Sequence, residues 1–244
     1  MTQHKQIDRA IHDLKSGAHW RVVVRPDDFD SGRISELAKC EHIVASSQVN
    51  WRGWPYPFFD SSALQIGSDW IACFGELNPY REYWRYYQSG QFAHLFGFRE
   101  EWYQKEAEIA AETTKTFWHN GYEPQGYLDL TMTINTITEI FEFAARLAIS
   151  NELGDNAHIK IELVNAKDRL LINFGGWLLG WYRIPSDNIK AEWSGNAPNL
   201  SADSAQLALD AAKKLLQQLR GRECFDAPIS MLAEKQRELR AKGS

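Results

Sequence analysis

At 244 residues, with 44% hydrophobic and 24% charged side chains, the chain has the profile of a globular domain. A globule of this size buries roughly 70% of its unfolded surface and needs neither disulfide nor metal to be stable. The formal net charge of −5 excludes wholesale binding along a nucleic-acid backbone, which needs a basic field, and leaves only a local patch for such contact.

Cys40, Cys73 and Cys224 are far apart and odd in number, so no disulfide framework is expected and a reducing compartment fits best. Residues 1–15 hold no apolar signal segment. The mostly apolar run 140–149 is interrupted by Glu142 and Arg146 and is too short to span a bilayer. The expectation is a soluble cytoplasmic protein without a membrane span.

In chain order, residues 7–14 place Ile7, Ala10, Ile11 and Leu14 at helical spacing. Residues 20–24, a β-branched run ended by Pro26, predict a strand, and 31–44 predict a second helix. The segment 51–60 contains Gly53, Pro55 and Pro57 and predicts a rigid, irregular connector. Residues 70–75, 81–88 and 91–98 predict an antiparallel meander, with a first turn at Asn78-Pro79 and a two-residue hairpin loop at Ser89-Gly90.

A helix over 100–116, a loop over 121–126 and the longest helix over 128–149 follow. Residues 159–164 and 170–174 predict a second hairpin and 190–193 a further strand. Ser201 is placed to cap a helix that runs to 219 and ends at Gly221. Residues 231–244 read as a charged tail or frayed helix, which leaves 1–230 as a single domain. The fold class expected is α+β: antiparallel meander sheets packed against a long buried helix and several amphipathic helices.

Aromatic residues make up 13% of the chain, including ten tryptophans, and they crowd into residues 51–98. A two-residue loop at 89–90 sets Tyr83, Arg85 and Tyr87 on one face with Phe92, His94 and Phe96, and puts Arg85 across from His94. A guanidinium and an imidazole framed by rings suit an anion or a planar ligand; the alternative is an arginine stacked on its neighbours at the sheet surface. A one-residue slip would exchange the two faces. Trp51, Arg52 and Trp54 lie in the proline-locked loop, whose pre-ordering suits recognition but equally suits plugging the core.

On the long helix, Thr131, Asn135, Thr138, Glu139, Glu142 and Arg146 form one polar stripe that faces solvent or a cleft, with Glu142 and Arg146 spaced for an ion pair. Two carboxylates at this spacing suit acid/base work, although a solvated face is the default. No histidine stands in a zinc-binding or H-E-x-x-H spacing, and there is no phosphate loop or nucleophile elbow. Gly175, Gly176 and Gly180 lack the order of a dinucleotide fingerprint. Neither metal nor cofactor is expected.

The residues Arg-Gly-Trp at 52–54, Tyr-Trp-Arg-Tyr-Tyr-Gln-Ser-Gly-Gln-Phe at 83–92 and Ile-Thr-Glu-Ile-Phe-Glu-Phe-Ala-Ala-Arg-Leu at 137–147 resemble a widespread bacterial family. In many of its members such a domain follows a Schlafen- or Alba-like domain regarded as a nucleic-acid binder. The resemblance covers about half of the chain, and it implies no catalytic role. Pro55 stands where the family pattern has an acidic residue, and the histidine expected near Phe58 is missing. The chain begins too late to hold the upstream domain.

Together these readings favour a non-catalytic intracellular regulatory, sensing or protein-interaction module, within a nucleic-acid-directed regulatory or defence system. Trp51, Arg52, Trp54, Tyr83, Arg85, Tyr87 and His94 are its candidate binding residues. Its expected partners are another protein or a second copy, or a small planar or anionic ligand, with nucleic acid reached only indirectly or through a local patch. The alternative is a hydrolase or nuclease using Glu139, Glu142 and His94; direct nucleic-acid binding is third.

Overall fold

Strict alternation of apolar and polar residues builds the central sheet. In β1 (His19–Pro26), Trp20, Val22 and Val24 turn inward and are buried, while Arg21 and Arg25 turn outward. In β7 (Asn156–Val164), Ile159, Ile161 and Leu163 do the same. The computed structural model describes residues 3–77, 80–102, 125–150, 152–172, 182–219 and 229–243.

Five further strands complete this sheet: β2 (Gln65–Ile66), β3 (Trp70–Leu77), β4 (Tyr80–Tyr87), β5 (Phe92–Gly97) and β10 (Asn188–Asn196). The seven strands run in the order β10-β7-β1-β5-β4-β3-β2, and every pairing is antiparallel. A smaller sheet joins β6 (Tyr127–Asp129), β8 (Leu170–Ile172) and β9 (Tyr182–Arg183); its β6–β8 pairing is parallel.

One face of the large sheet is covered by α2 (Leu37–Ser47), α3 (Leu130–Ile149) and α4 (Ala197–Leu219). Phe143 of α3 meets Phe92 at 4.7 Å between ring centres, and Phe141 meets Trp193 at 6.4 Å. Asp129 caps α3 by accepting the Met132 N–H at 2.8 Å. On the opposite face, α1 (Gln3–Ser16) lies over β4 and β5, with Leu14 beside Gly97. The fold is α+β, as the sequence predicts, and no helix among the described residues is long and apolar enough to cross a membrane.

Several expectations are corrected. The second helix begins at Leu37 rather than 31, because Asp30 draws the Gly32 N–H into a local turn and the Ile34 N–H is taken by the Gln88 carbonyl. Residues 159–164 and 170–174 do not form a hairpin. Instead β7 is wedged between β1 and β10, while left-handed turns at Asn165 and Asp168 send the chain into the smaller sheet.

Ser201 does not cap a helix. The helix starts at Ala197, Ser201 donates to the Ala197 carbonyl, and the axis kinks at Asp203. Residues 229–241 form α5 (Ile229–Ala241), which buries Leu232, Gln236 and Leu239; Gln236 donates to Thr138 Oγ1 at 3.2 Å and to the Ala205 carbonyl at 2.7 Å. The turn at 78–79, the helix 100–116 beyond residue 102, the loop residues 121–124, Phe174, the glycines at 175, 176 and 180, the helix end at Gly221, and Cys224 lie outside the described residues.

The hairpin register also differs, by one residue. Tyr87 N–H meets the Gln91 carbonyl, and Gly90 N–H meets the Tyr87 carbonyl, so the loop is Gln88-Ser89-Gly90. Gly90 holds φ at +82°, the left-handed conformation that closes such three-residue hairpins. Trp84 therefore stands opposite His94, and Arg85 opposite Ala93. Arg85 and His94 lie on opposite faces of the sheet.

Candidate functional site

The loop from Gln48 to Asp60 is irregular and firmly held. Val49 and Tyr56 exchange two backbone hydrogen bonds of 2.8 Å, and Gln48 donates to the Pro57 carbonyl at 2.9 Å. The Tyr56–Pro57 bond is cis, and Gly53 has φ +79°. Trp54 stacks on Phe58 at 4.6 Å, Phe59 stacks on Trp84 at 6.1 Å, and Trp84 Nε1 donates to the Phe58 carbonyl. Gly75 leaves room for Phe58: a β-carbon there would stand 2.6 Å from the ring. Trp51 packs partly against the core, and Gly243, just beyond α5, meets its ring.

Beneath this loop lie two buried acidic residues, each clasped by the loop. Arg52 Nε donates to Glu139 Oε1 at 2.8 Å, its Nη2 engages Glu139 Oε2, and Nη2 also donates to Thr136 Oγ1 at 3.2 Å. Arg99 Nη2 stands 3.9 Å from the same carboxylate. Trp54 Nε1 donates to Glu82 Oε1 at 2.6 Å, and His94 Nε2 bonds Glu82 Oε2 at 2.8 Å. Two arginines, Arg52 and Arg99, thus stand beside two buried carboxylates, as a site so removed from water requires.

Tyr56 is buried beside His94, with ring centres 5.1 Å apart. Burial, with Glu82 and Glu139 nearby, pushes its hydroxyl pKa well above the ordinary value. Among the described residues, neither Tyr56 Oη nor His94 Nδ1 has a hydrogen-bond partner.

The polar stripe of α3 is thus largely buried rather than solvated: Asn135, Thr138 and Glu139 are all buried, Glu139 completely. The expected Glu142–Arg146 pair forms at 3.1 Å, and Glu142 also accepts from Ser204. Glu139, Glu142 and His94 are bonded to three different sets of partners: Arg52, Arg146 with Ser204, and Glu82. No group of three metal-ligating side chains occurs among the described residues.

Sequence reasoning missed Glu82 and Arg99. The slipped register assigned Glu82 to the wrong face, away from His94. The third loop residue, Gly90, was the signal for a three-residue loop and hence for the true register.

Arg85 lies on the other side of the sheet. Its guanidinium covers the Trp70 ring at 4.1 Å, Nη2 donates to Tyr83 Oη at 2.8 Å, and Nη1 donates to Tyr87 Oη at 3.4 Å. No carboxylate meets it among the described residues, and its Nε has no acceptor. Burial opposes its charge, but the two tyrosine oxygens prevail and hold its pKa above the ordinary value. Because each hydroxyl oxygen accepts from Arg85, each hydroxyl proton turns elsewhere and is free to donate.

No protein-family model, curated protein or solved structure matches the chain. The site is therefore read from its own chemistry. Of the seven candidate residues, the structure groups Arg52, Trp54 and His94, with Trp51 at the rim, around two buried carboxylates. It sets Tyr83, Arg85 and Tyr87 together on the outer face. The first group is enclosed, with its carboxylates bonded and only His94 Nδ1 and the neighbouring Tyr56 Oη lacking partners among the described residues. The second is half-open, cationic and short of an anion.

Proposed function

We propose that the chain is a non-catalytic binding module that receives an anionic group of a protein partner or ligand on the outer sheet face at Arg85. The observation that carries this reading is a half-buried arginine with aromatic and hydroxyl neighbours but, among the described residues, no carboxylate, in a chain of net charge −5. An incoming carboxylate or phosphate gains charge-assisted hydrogen bonds from the guanidinium and meets two tyrosine O–H donors. Trp70 holds the guanidinium flat, so little order is lost on binding. A regulatory role beside nucleic-acid-binding domains, as the 52–54, 83–92 and 137–147 motifs imply, fits such a module.

Native mass spectrometry of the protein purified from its own host tests the reading, comparing wild type with Arg85→Ala and Arg85→Lys. Wild type is expected to retain a partner or anionic ligand that Arg85→Ala loses, with melting unchanged, and that Arg85→Lys holds more weakly because lysine lacks the planar fork. Retention of the same species by Arg85→Ala would defeat the proposal. Absorbance at 260 nm that is lost in high salt would favour nucleic acid as the anion.

A further inference from the structure

The end strand β10 carries a short stretch of open backbone at the edge of the seven-stranded sheet. Its inner edge pairs with β7 throughout. On its outer edge, Gln218 of α4 imitates a neighbouring strand: Lys190 N–H donates to Gln218 Oε1 at 3.3 Å, and Gln218 Nε2 donates to the Lys190 carbonyl at 2.6 Å. Two residues earlier, Ser186 Oγ meets both backbone groups of Asn188. These contacts fix the parity of the strand. The backbone groups of Asn188, Lys190, Glu192 and Ser194 all point outward, away from β7.

Asn188 and Lys190 are capped in this way, whereas Glu192 and Ser194 have no outward backbone partner among the described residues. The chain then enters α4 at Ala197. The open stretch is thus bounded at both ends and centred on Trp193, a half-buried ring that packs against Phe141. Proteins ordinarily cover or interrupt such an edge, because it templates another strand.

We propose that this edge pairs with the same edge of a second copy of the chain, in an antiparallel twofold centred on Trp193. Glu192 of each copy then stands opposite Ser194 of the other, and these two pairs exchange four backbone hydrogen bonds. The twofold sets the two Trp193 residues directly across from one another in the closer, non-hydrogen-bonded pair. Side chains agree with this register. Each Glu192 carboxylate meets the Ser194 hydroxyl of the other copy, which already bonds His158 Nδ1 at 2.6 Å. A register centred on Glu192 itself would set like charges face to face. The surface is remote in sequence from Arg85, and the proposal is independent of the ligand at that site.

Sedimentation equilibrium of the full chain tests the pairing. Wild type is expected at twice the monomer mass, with slow hydrogen exchange at the Glu192 and Ser194 amides. Glu192→Pro removes one outward N–H while sparing the β7 ladder, and is expected to give a monomer with unchanged circular dichroism. Ser194→Glu, which opposes two carboxylates across the twofold, should also give a monomer. Adding Glu192→Lys to Ser194→Glu should restore the dimer through Lys–Glu pairs. A monomeric wild type overturns the proposal, as does a dimer indifferent to Ser194→Glu, which would place the contact on another surface.

Discussion

Glu82 and Arg85 are three residues apart in one strand, yet their surroundings are opposites. On the inner face, Glu82 is bonded by Trp54 and His94, and the nearby Glu139 by Arg52. The carboxylates there are bonded, and Arg52 and Arg99 stand beside Glu139. On the outer face, Arg85 has comparable aromatic company but no counter-charge among the described residues. Similar residue types thus make an enclosed clamp on one side and an open cationic surface on the other. Burial and charge balance separate the two, not composition: a site enclosed from water must be saturated, whereas a half-open one tolerates an unmet charge.

Breaking the inner clamp should have the largest effect. Arg52→Ala leaves the Glu139 carboxylate buried and short of its chief partner, and is expected to cost about 3–5 kcal/mol in urea unfolding. Arg52→Met with Glu139→Leu should recover most of that loss. If Arg52→Ala proved harmless, the inner site would not be the dry clamp described.

Glu100 sharpens the same contrast through pH. Burial raises its carboxyl from 4.5 to about 7, while the Asp129 N–H donates to its Oε1 at 2.7 Å and pulls the other way. Between these values the folded chain holds a proton that the unfolded chain releases. Glu100 therefore lowers stability progressively as pH rises from about 4.5 to about 7, with the full cost above. Glu100→Gln keeps the acceptor and should stabilise the protein at pH 8 by about 1–3 kcal/mol, at roughly 1.4 kcal/mol per pKa unit. At pH 4 the two proteins should unfold alike; parallel pH profiles would contradict the assignment.

Gly90 tests the register that separates the faces. Alanine there meets a strained φ of +82°, and its β-carbon would stand 2.6 Å from the Glu152 carbonyl oxygen. A loss of about 1–3 kcal/mol in thermal unfolding is expected. The smallest effect on stability belongs to the outer face. Arg85→Ala forgoes a cation–π contact and should cost no more than about 1 kcal/mol, while abolishing anion binding.

Much of the fold was legible where periodicity is strong. The alternation in β1, the apolar wrap of α3 and the proline-locked loop each follow from local patterns. Long-range pairing was not legible. Residues 159–164 pattern equally well as half of a hairpin or as an interior strand, and only tertiary context places them between β1 and β10. The candidate site suffered from one turn: reading Ser89-Gly90 as the whole loop moved every side chain of one strand by one place. The aromatic and arginine residues stood out in the sequence, but their division into an enclosed group and an open one depends on a register that Gly90 encodes. The burial of Gln236 was hidden because α5 is charged along most of its length.

The position of β1 has a consequence for synthesis of the chain. Its residues are made before those of both neighbouring strands, because one edge pairs with residues 92–97 and the other with 157–164. This interior strand must therefore wait until residue 164 has been made before both its flanks are covered. Contacts so distant in sequence slow folding, and a nascent chain halted before residue 164 keeps an apolar strand with an unsatisfied flank. Fragments that stop short of β7 are expected to aggregate more readily than the full chain, which a solubility comparison of chains ending before Asn156 would check.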